Sequence, residues 1–205
     1  ADTGEDFRGP RWAVATVRVR HVLRVIDKET TSVSGVAFSP DGKTVVTGSK
    51  DGIAQIWDVA TGQVRRSLPC GDSYLESVAF SPDGSRLAVG VGTSDRVVQV
   101  WNLATGKIER TLEGEGWRVV FAPDGRSLAG MHLGTNPTDQ TSTVIWDLGT
   151  GAIRRTLAGG VLAYAPDGKS LVTADSGGKV LVLDASTGGV LRTLAGTLPA
   201  AGQDD

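Results

Sequence analysis

The sequence predicts an all-β chain built of four-stranded antiparallel units. Three observations predict it: a motif set that returns about every 42 residues, two turn signals inside each return, and no segment with a 3.6-residue apolar period over 11 or more positions. VAFSPDG occupies 36–42 and again 78–84, followed by VVFAPDG at 119–125 and LAYAPDG at 162–168. Their prolines, Pro40, Pro82, Pro123 and Pro166, stand 42, 41 and 43 residues apart. IWDVATG, VWNLATG, IWDLGTG and VLDASTG keep step, beginning at Ile56, Val100, Ile145 and Val182. RRSL, ERTL, RRTL and LRTL follow, ending at Leu68, Leu112, Leu157 and Leu194. Three motifs in one order, four times over, exclude coincidence.

Each repeat reads as strand, turn, strand, turn, strand, turn, strand. In the first, strands are expected at 35–39, 44–49, 54–58 and 63–68. Pro-Asp-Gly separates the first two, because proline pre-sets its own φ and the glycine accepts a positive one. Thr-Gly separates the last two, with Gly62, Gly106, Gly151 and Gly188 as the permissive residues. This punctuation explains 28 glycines in 205 residues, about twice the usual ~7%. The recurring aspartates Asp41, Asp83, Asp124 and Asp167 are read as caps of their own turns rather than a ring of carboxylates. Arg66, Arg110, Arg155 and Arg192 fall in the outermost strand. There, charge is expected to blunt an exposed edge, a basic stripe for an acidic partner being the other reading.

These residues resemble the WD-repeat family of β-propellers, in the style of its bacterial members. Trp57-Asp58 and Trp146-Asp147 carry the signature, Trp101-Asn102 is close to it, and Leu183-Asp184 is degenerate. The resemblance covers about 22–194. It departs from the family in one respect: no Gly-His pair precedes any innermost strand, and the histidines are His21 and His132. The family's His–Ser/Thr–Asp–Trp network is therefore incomplete, although Asp51 and Trp57 match two of its positions in the first blade. The resemblance implies four blades at about 35–68, 78–112, 119–157 and 162–194, and part of a fifth at 12–34. Tails at 1–11 and 195–205 are expected to be disordered.

The family usually closes with seven blades, which at this period needs about 290 residues. The expectation is an incomplete ring: a fragment of a longer propeller, with a small ring and a ring completed by oligomerisation as alternatives. Uncovered terminal blades need polar caps, so the isolated chain is expected to associate.

Composition removes other classes. Lys and Arg number 21 against 23 Asp and Glu, a net −2, which argues against nucleic-acid binding through phosphate neutralisation. Apolar residues make up 40%, too many for a disordered chain. No stretch approaches the roughly 20 apolar residues of a membrane helix. The first residue is Ala1 and no signal-peptide layout follows, so a mature form or fragment in the cytoplasm is expected. The lone Cys70 forbids an intrachain disulfide.

Catalytic chemistry finds little to stand on. Gly42-Lys43-Thr44 and Gly168-Lys169-Ser170 imitate the end of a phosphate loop, but Ala37 and Ala163 stand where its first glycine belongs. Gly90-Val91-Gly92 and Gly114-Glu115-Gly116 are read as loop glycines. His132, assigned to a loop at 131–143, and His21 lack a nucleophile partner motif. Cys70 and the two histidines are too scattered for zinc, and no Ca²⁺ loop exists. No cofactor, metal or enzyme activity is expected. The resemblance implies a non-catalytic protein–protein interaction scaffold, a module of a bacterial signalling or regulatory protein; an accessory propeller of an enzyme is the alternative. A protein or peptide is the expected partner. Contacts are expected from segments that break the repeat, which share one face: Tyr74, Arg96, Trp117, Arg118, His132, Asn136 and Asp139. Trp57, Asp58, Trp101, Trp146, Asp147, Asp184 and Asp51 are read as structural.

Overall fold

Alternating side chains and closely spaced turns leave each repeat one economical solution, a meander in which consecutive strands pair. The computed structural model describes residues 32–92, 96–114, 116–132, 141–175 and 178–194. Among these are sixteen strands and no helix. The first blade is β1 (Val33–Phe38), β2 (Thr44–Ser49), β3 (Ile53–Asp58) and β4 (Val64–Pro69). The second is β5 (Leu75–Phe80), β6 (Arg86–Val91), β7 (Val97–Asn102) and β8 (Lys107–Glu113). The third is β9 (Val119–Phe121), β10 (Ser127–His132), β11 (Ser142–Asp147) and β12 (Ile153–Ala158). The fourth is β13 (Gly160–Tyr164), β14 (Ser170–Ala174), β15 (Val180–Asp184) and β16 (Val190–Leu194). Every pairing is antiparallel and sequential. The part-blade expected at 12–34 lies outside the described residues except for 32–34, and both expected tails lie wholly outside them.

The ladder slips by one residue at the same place in every blade, opposite Trp57, Trp101, Trp146 and Leu183. The extra residue bulges from the outermost strand and strengthens its twist. Successive residues of a strand face opposite sides, so both faces of a blade need cover. Val46, Ile56 and Leu68 of the first blade meet Leu87, Val89 and Trp101 of the second. Ala88, Val100 and Leu112 meet Phe121, Leu128 and Trp146. Ala129, Ile145 and Leu157 meet Val161, Leu171 and Leu183. Each fully buried Val or Leu contributes about 1.5–3 kcal/mol, so these three interfaces hold the blade array together. Among the described residues the fourth blade does not pack on the first, and the propeller is an open arc.

The recurring arginines correct the edge-blunting reading. Arg66 Nη1 donates to Leu103 O at 2.6 Å, and Arg155 Nη1 to Thr187 O at 2.7 Å. Arg110 donates to Gly149 O at 2.9 Å and Thr150 O at 3.2 Å. Each guanidinium thus reaches past its own blade onto the Thr-Gly turn of the next. The sequence shows the recurrence but not the direction, because the acceptors lie 32 to 40 residues away.

The turn aspartates act locally. Asp41, Asp83, Asp124 and Asp167 each accept the backbone N–H two residues on, at 2.9–3.0 Å. Asp58, Asp147 and Asp184 accept N–H groups of the Thr-Gly turns, and Asn102 does the same without charge. The Thr61 N–H, then Arg65, hold Asp58 at about 2. The hydroxyls of Ser81 and Ser186, then the nearby N–H groups, hold Asp83 and Asp184 at about 2. Asp41 and Asp147 are lowered in the same direction, by the Ser39 hydroxyl and the Thr150 N–H. These carboxyls titrate lower folded than unfolded, where the ordinary value is 3.8. Their stabilisation is therefore complete above about pH 4 and is lost as pH falls toward 2. Thermal melts followed by circular dichroism are expected to be level from neutrality to roughly pH 5 and to fall steeply between about pH 4 and 2. A level melting temperature through that window contradicts the turn-cap role.

Candidate functional site

The meander sorts its connections by end. Pro-Asp-Gly and Thr-Gly turns share one end of the array. The second-to-third-strand links and the blade-to-blade links share the other, and there the sequence departs from its repeat. Gly90 of β6 and Gly92, just past its end, shape that end. A Cβ on Gly90 would lie 2.0 Å from Gly116 O, so the absence of a side chain admits the backbone of the second blade-to-blade link. A Cβ on Gly92 would lie 2.2 Å from the Tyr74 ring, which occupies that space. Gly90 belongs to a strand and not to the loop expected of it; the space it leaves, not its φ, is what matters.

The links are tied down by named bonds. Ser77 Oγ donates to Gly116 O at 2.9 Å and accepts from Val119 N at 3.1 Å. Trp117 N donates to Met131 O at 3.3 Å, and Met131 N to Arg118 O at 2.9 Å. Gly92 N donates to Tyr74 O at 2.9 Å, and Ser73 Oγ to Gly92 O at 2.7 Å. Anchored in this way, the Trp117 indole stays 43% exposed and the Tyr74 ring 45%. Two large aromatics held in water by a rigid frame present apolar area at little entropic cost on contact.

Beside Trp117 lies a hollow of about 520 Å³ lined by Val36, Glu76, Trp117, Arg118, Val119 and Met131, among others. It opens across the innermost strands of three blades. Burial pushes the Glu76 carboxyl up, and the Arg96 charge partly opposes this. Arg96 itself has φ +44°, and its carbonyl accepts from Gly114 N at 3.1 Å, joining the second-to-third-strand link to the blade-to-blade link. The hollow therefore combines an aliphatic floor, one exposed indole, one exposed guanidinium and a half-buried carboxyl.

Of the expected contact residues, Trp117 and Arg118 line the hollow, Arg96 acts on its carboxyl, and Tyr74 sits one link earlier at the same end. His132 closes β10, paired with Ser142, rather than lying in the loop assigned to it. Asn136 and Asp139 lie outside the described residues. Glu76, Met131 and the cradle glycines were missed by sequence reasoning. The signal available was Gly90 and Gly92, two residues apart where β6 ends, beside an aromatic link. The signature tryptophans are structural in different ways. Trp57 Nε1 donates to Thr47 Oγ1 at 2.9 Å, Trp101 Nε1 to Gln99 Oε1 at 3.0 Å, and Trp146 Nε1 to Glu113 O at 3.1 Å. Asp51 accepts from Ser49 and from Ile53 N instead of extending the Trp57 bond. Cys70 is buried, and burial pushes its thiol up to about 12, which leaves it unreactive as a nucleophile. No group of three or more metal-ligating side chains occurs among the described residues, and no helix among them is long and apolar enough to cross a membrane.

The four-stranded antiparallel blades are those of a partial β-propeller, and the chain carries WD40 repeats at residues 20–58 and 62–102, where the WD domain, G-beta repeat family matches. The chain is similar to an uncharacterized WD repeat-containing protein of Synechocystis sp., 43% identical over 76 residues, 36% of this chain and 22% of that protein. It is also similar to the nuclear distribution protein nudF of Aspergillus niger, 34% identical over 76 residues, covering 35% and 17%. With the small ribosomal subunit protein RACK1z of Oryza sativa it shares 45% identity over 51 residues, covering 25% and 15%. The chain thus spans less than a quarter of each of these relatives.

Proposed function

We propose that this protein is a non-catalytic protein–protein interaction scaffold, part of a bacterial signalling or regulatory protein working in the cytoplasm, and that it holds its partner at the end carrying Trp117. The observation that carries this reading is the hollow beside Trp117, where an exposed indole and the Arg118 guanidinium stand on a frame of blade-to-blade hydrogen bonds. Interface hot spots are enriched in Trp, Tyr and Arg at well-packed positions. The similarity to proteins named for the small ribosomal subunit and for nuclear distribution is in keeping with a chain that works inside an assembly. The similarity to a cyanobacterial WD repeat-containing protein supports the bacterial setting.

A photo-crosslinking amino acid at position 117 tests the reading, with one at Lys43, in a turn at the other end, as control. A discrete protein adduct from position 117 and none from position 43 is expected. Equal labelling from both ends, or none from 117, overturns it. Trp117→Ala is then expected to weaken that partner at least tenfold, about 1.4 kcal/mol or more, and to change stability by less than about 0.5 kcal/mol, as for other exposed positions.

A further inference from the structure

Neighbouring blades meet at their Pro-Asp-Gly end in a repeated arrangement, and between the second and third blades the chain spans it with a cation of its own. Arg86, at the start of β6, acts on the Asp83 carboxylate of its own turn. It also reaches across to the third blade, where its Nη1 donates to Gly125 O at 3.5 Å. Its Nε lies 3.5 Å from Glu109 Oε2. At this interface Phe121 and Leu148 are buried, 7% and 5% exposed.

The first and second blades bring together the equivalent groups, but Thr44 stands where Arg86 stands. The result is a hollow of about 480 Å³ lined by Asp41, Thr44, Phe80, Asp83, Gly84 and Leu103, among others. In the repeat, Gly84 corresponds to the acceptor Gly125, Phe80 to Phe121 and Leu103 to Leu148. Phe80 and Leu103 are only partly buried. The third and fourth blades, with Ser127 in the place of Arg86, enclose a smaller hollow of about 310 Å³. There Arg154 turns inward and donates to Ser127 Oγ at 3.1 Å. Its first-blade equivalent, Arg65, is held by Asp58 instead, through Nε at 2.9 Å and through Nη2. Arg66 is spent on Leu103 O, as Arg110 is spent on the next turn. Neither guanidinium of the first blade takes the place that Arg86 fills one interface on.

We propose that the hollow between the first and second blades binds the guanidinium of a small cationic molecule about the size of arginine, seated where Arg86 sits at the next interface. Its volume falls in the roughly 300–1,000 Å³ of small-molecule sites. Asp41 caps its own turn through Oδ1, and Oδ2 remains to accept from the guest. Gly84 O accepts a second N–H, as Gly125 O does from Arg86. The Phe80 ring offers a face on which the planar cation stacks. Arg65 does not repel the guest as a bare charge, because Asp58 neutralises it. This site lies at the opposite end from Trp117 and is independent of the partner held there.

The test titrates the full chain with L-arginine and follows its backbone amides by nuclear magnetic resonance. L-Citrulline, which keeps the shape without the charge, and L-lysine, which keeps the charge without the planar fork, are the matched controls. Arginine is expected to give saturable shifts at Gly42, Thr44 and Gly84. Both controls are expected to bind at least about tenfold more weakly, the loss of one charge-assisted hydrogen bond. Thr44→Arg supplies the chain's own guanidinium, as Arg86 does, and is expected to abolish those shifts. Asp41→Asn keeps a side-chain oxygen to cap the turn, as Asn102 caps its own, and is expected to weaken arginine by a similar factor. It carries the test if Thr44→Arg does not fold. Absence of saturable shifts overturns the proposal, as does citrulline or lysine matching arginine. So does binding that survives in folded Thr44→Arg or in Asp41→Asn. A protein adduct from the crosslinker at position 43 also overturns it, by assigning the hollow to a partner's arginine instead of a small molecule.

Discussion

Trp146→Ala is expected to destabilise the chain by about 3–5 kcal/mol, the range for deleting a fully buried tryptophan. The indole is 0% exposed, packed among Leu112, Phe121 and Leu128 between the second and third blades. Its Nε1 donates across the interface to Glu113 O, and its ring lies against Gly114. Truncation leaves both a cavity and an unpaired carbonyl. The two walls are hydrogen-bonded sheets that cannot collapse far into the gap, so the penalty belongs at the upper part of the range. Urea unfolding followed by circular dichroism checks this. A loss below about 1 kcal/mol would show that the interface between these two blades contributes little to stability.

Gly90→Ala is expected to cost about 3 kcal/mol, although it adds a single methyl group. Gly90 has no positive φ to defend, so the penalty is one of space. The added carbon meets a backbone carbonyl, which cannot rotate away as a side-chain tip can, and overpacking of this kind costs about 1–3 kcal/mol or more. The displaced segment is the link that carries Trp117. The variant is therefore expected to lose both thermal stability and the adduct formed at position 117, whereas Trp117→Ala loses affinity alone. Wild-type stability and capture in Gly90→Ala would show that the link is not seated on β6.

Much of the fold was legible because the repeat is written in local chemistry. Pro-Asp-Gly and Thr-Gly act over four residues, and the strands between them alternate. Strands expected at 44–49 and 54–58 therefore appear as Thr44–Ser49 and Ile53–Asp58. The candidate site was legible only in part. Trp117 and Arg118 stand out as departures from the repeat. Glu76 and Met131 stand at the edges of segments expected to be links, 70–76 and 131–143, but belong to β5 and β10, and only the packed blades bring them to one hollow. His132 was assigned to a loop because the irregular sequence begins there, but it still pairs with Ser142 across the β10–β11 ladder.

By itself the sequence determined the blade: its four strands, its two turns, the aspartates that cap them and the period that repeats them. Those are short-range matters of φ, proline geometry and alternation, complete within about 42 residues. Only the tertiary structure decided what each blade does to the next. The direction of Arg66, Arg110 and Arg155 onto a neighbour's turn and the room that Gly90 and Gly92 leave for the links depend on contacts between residues far apart in the sequence. A repeated motif records that a residue recurs. What it touches is settled only when one sheet is laid against another.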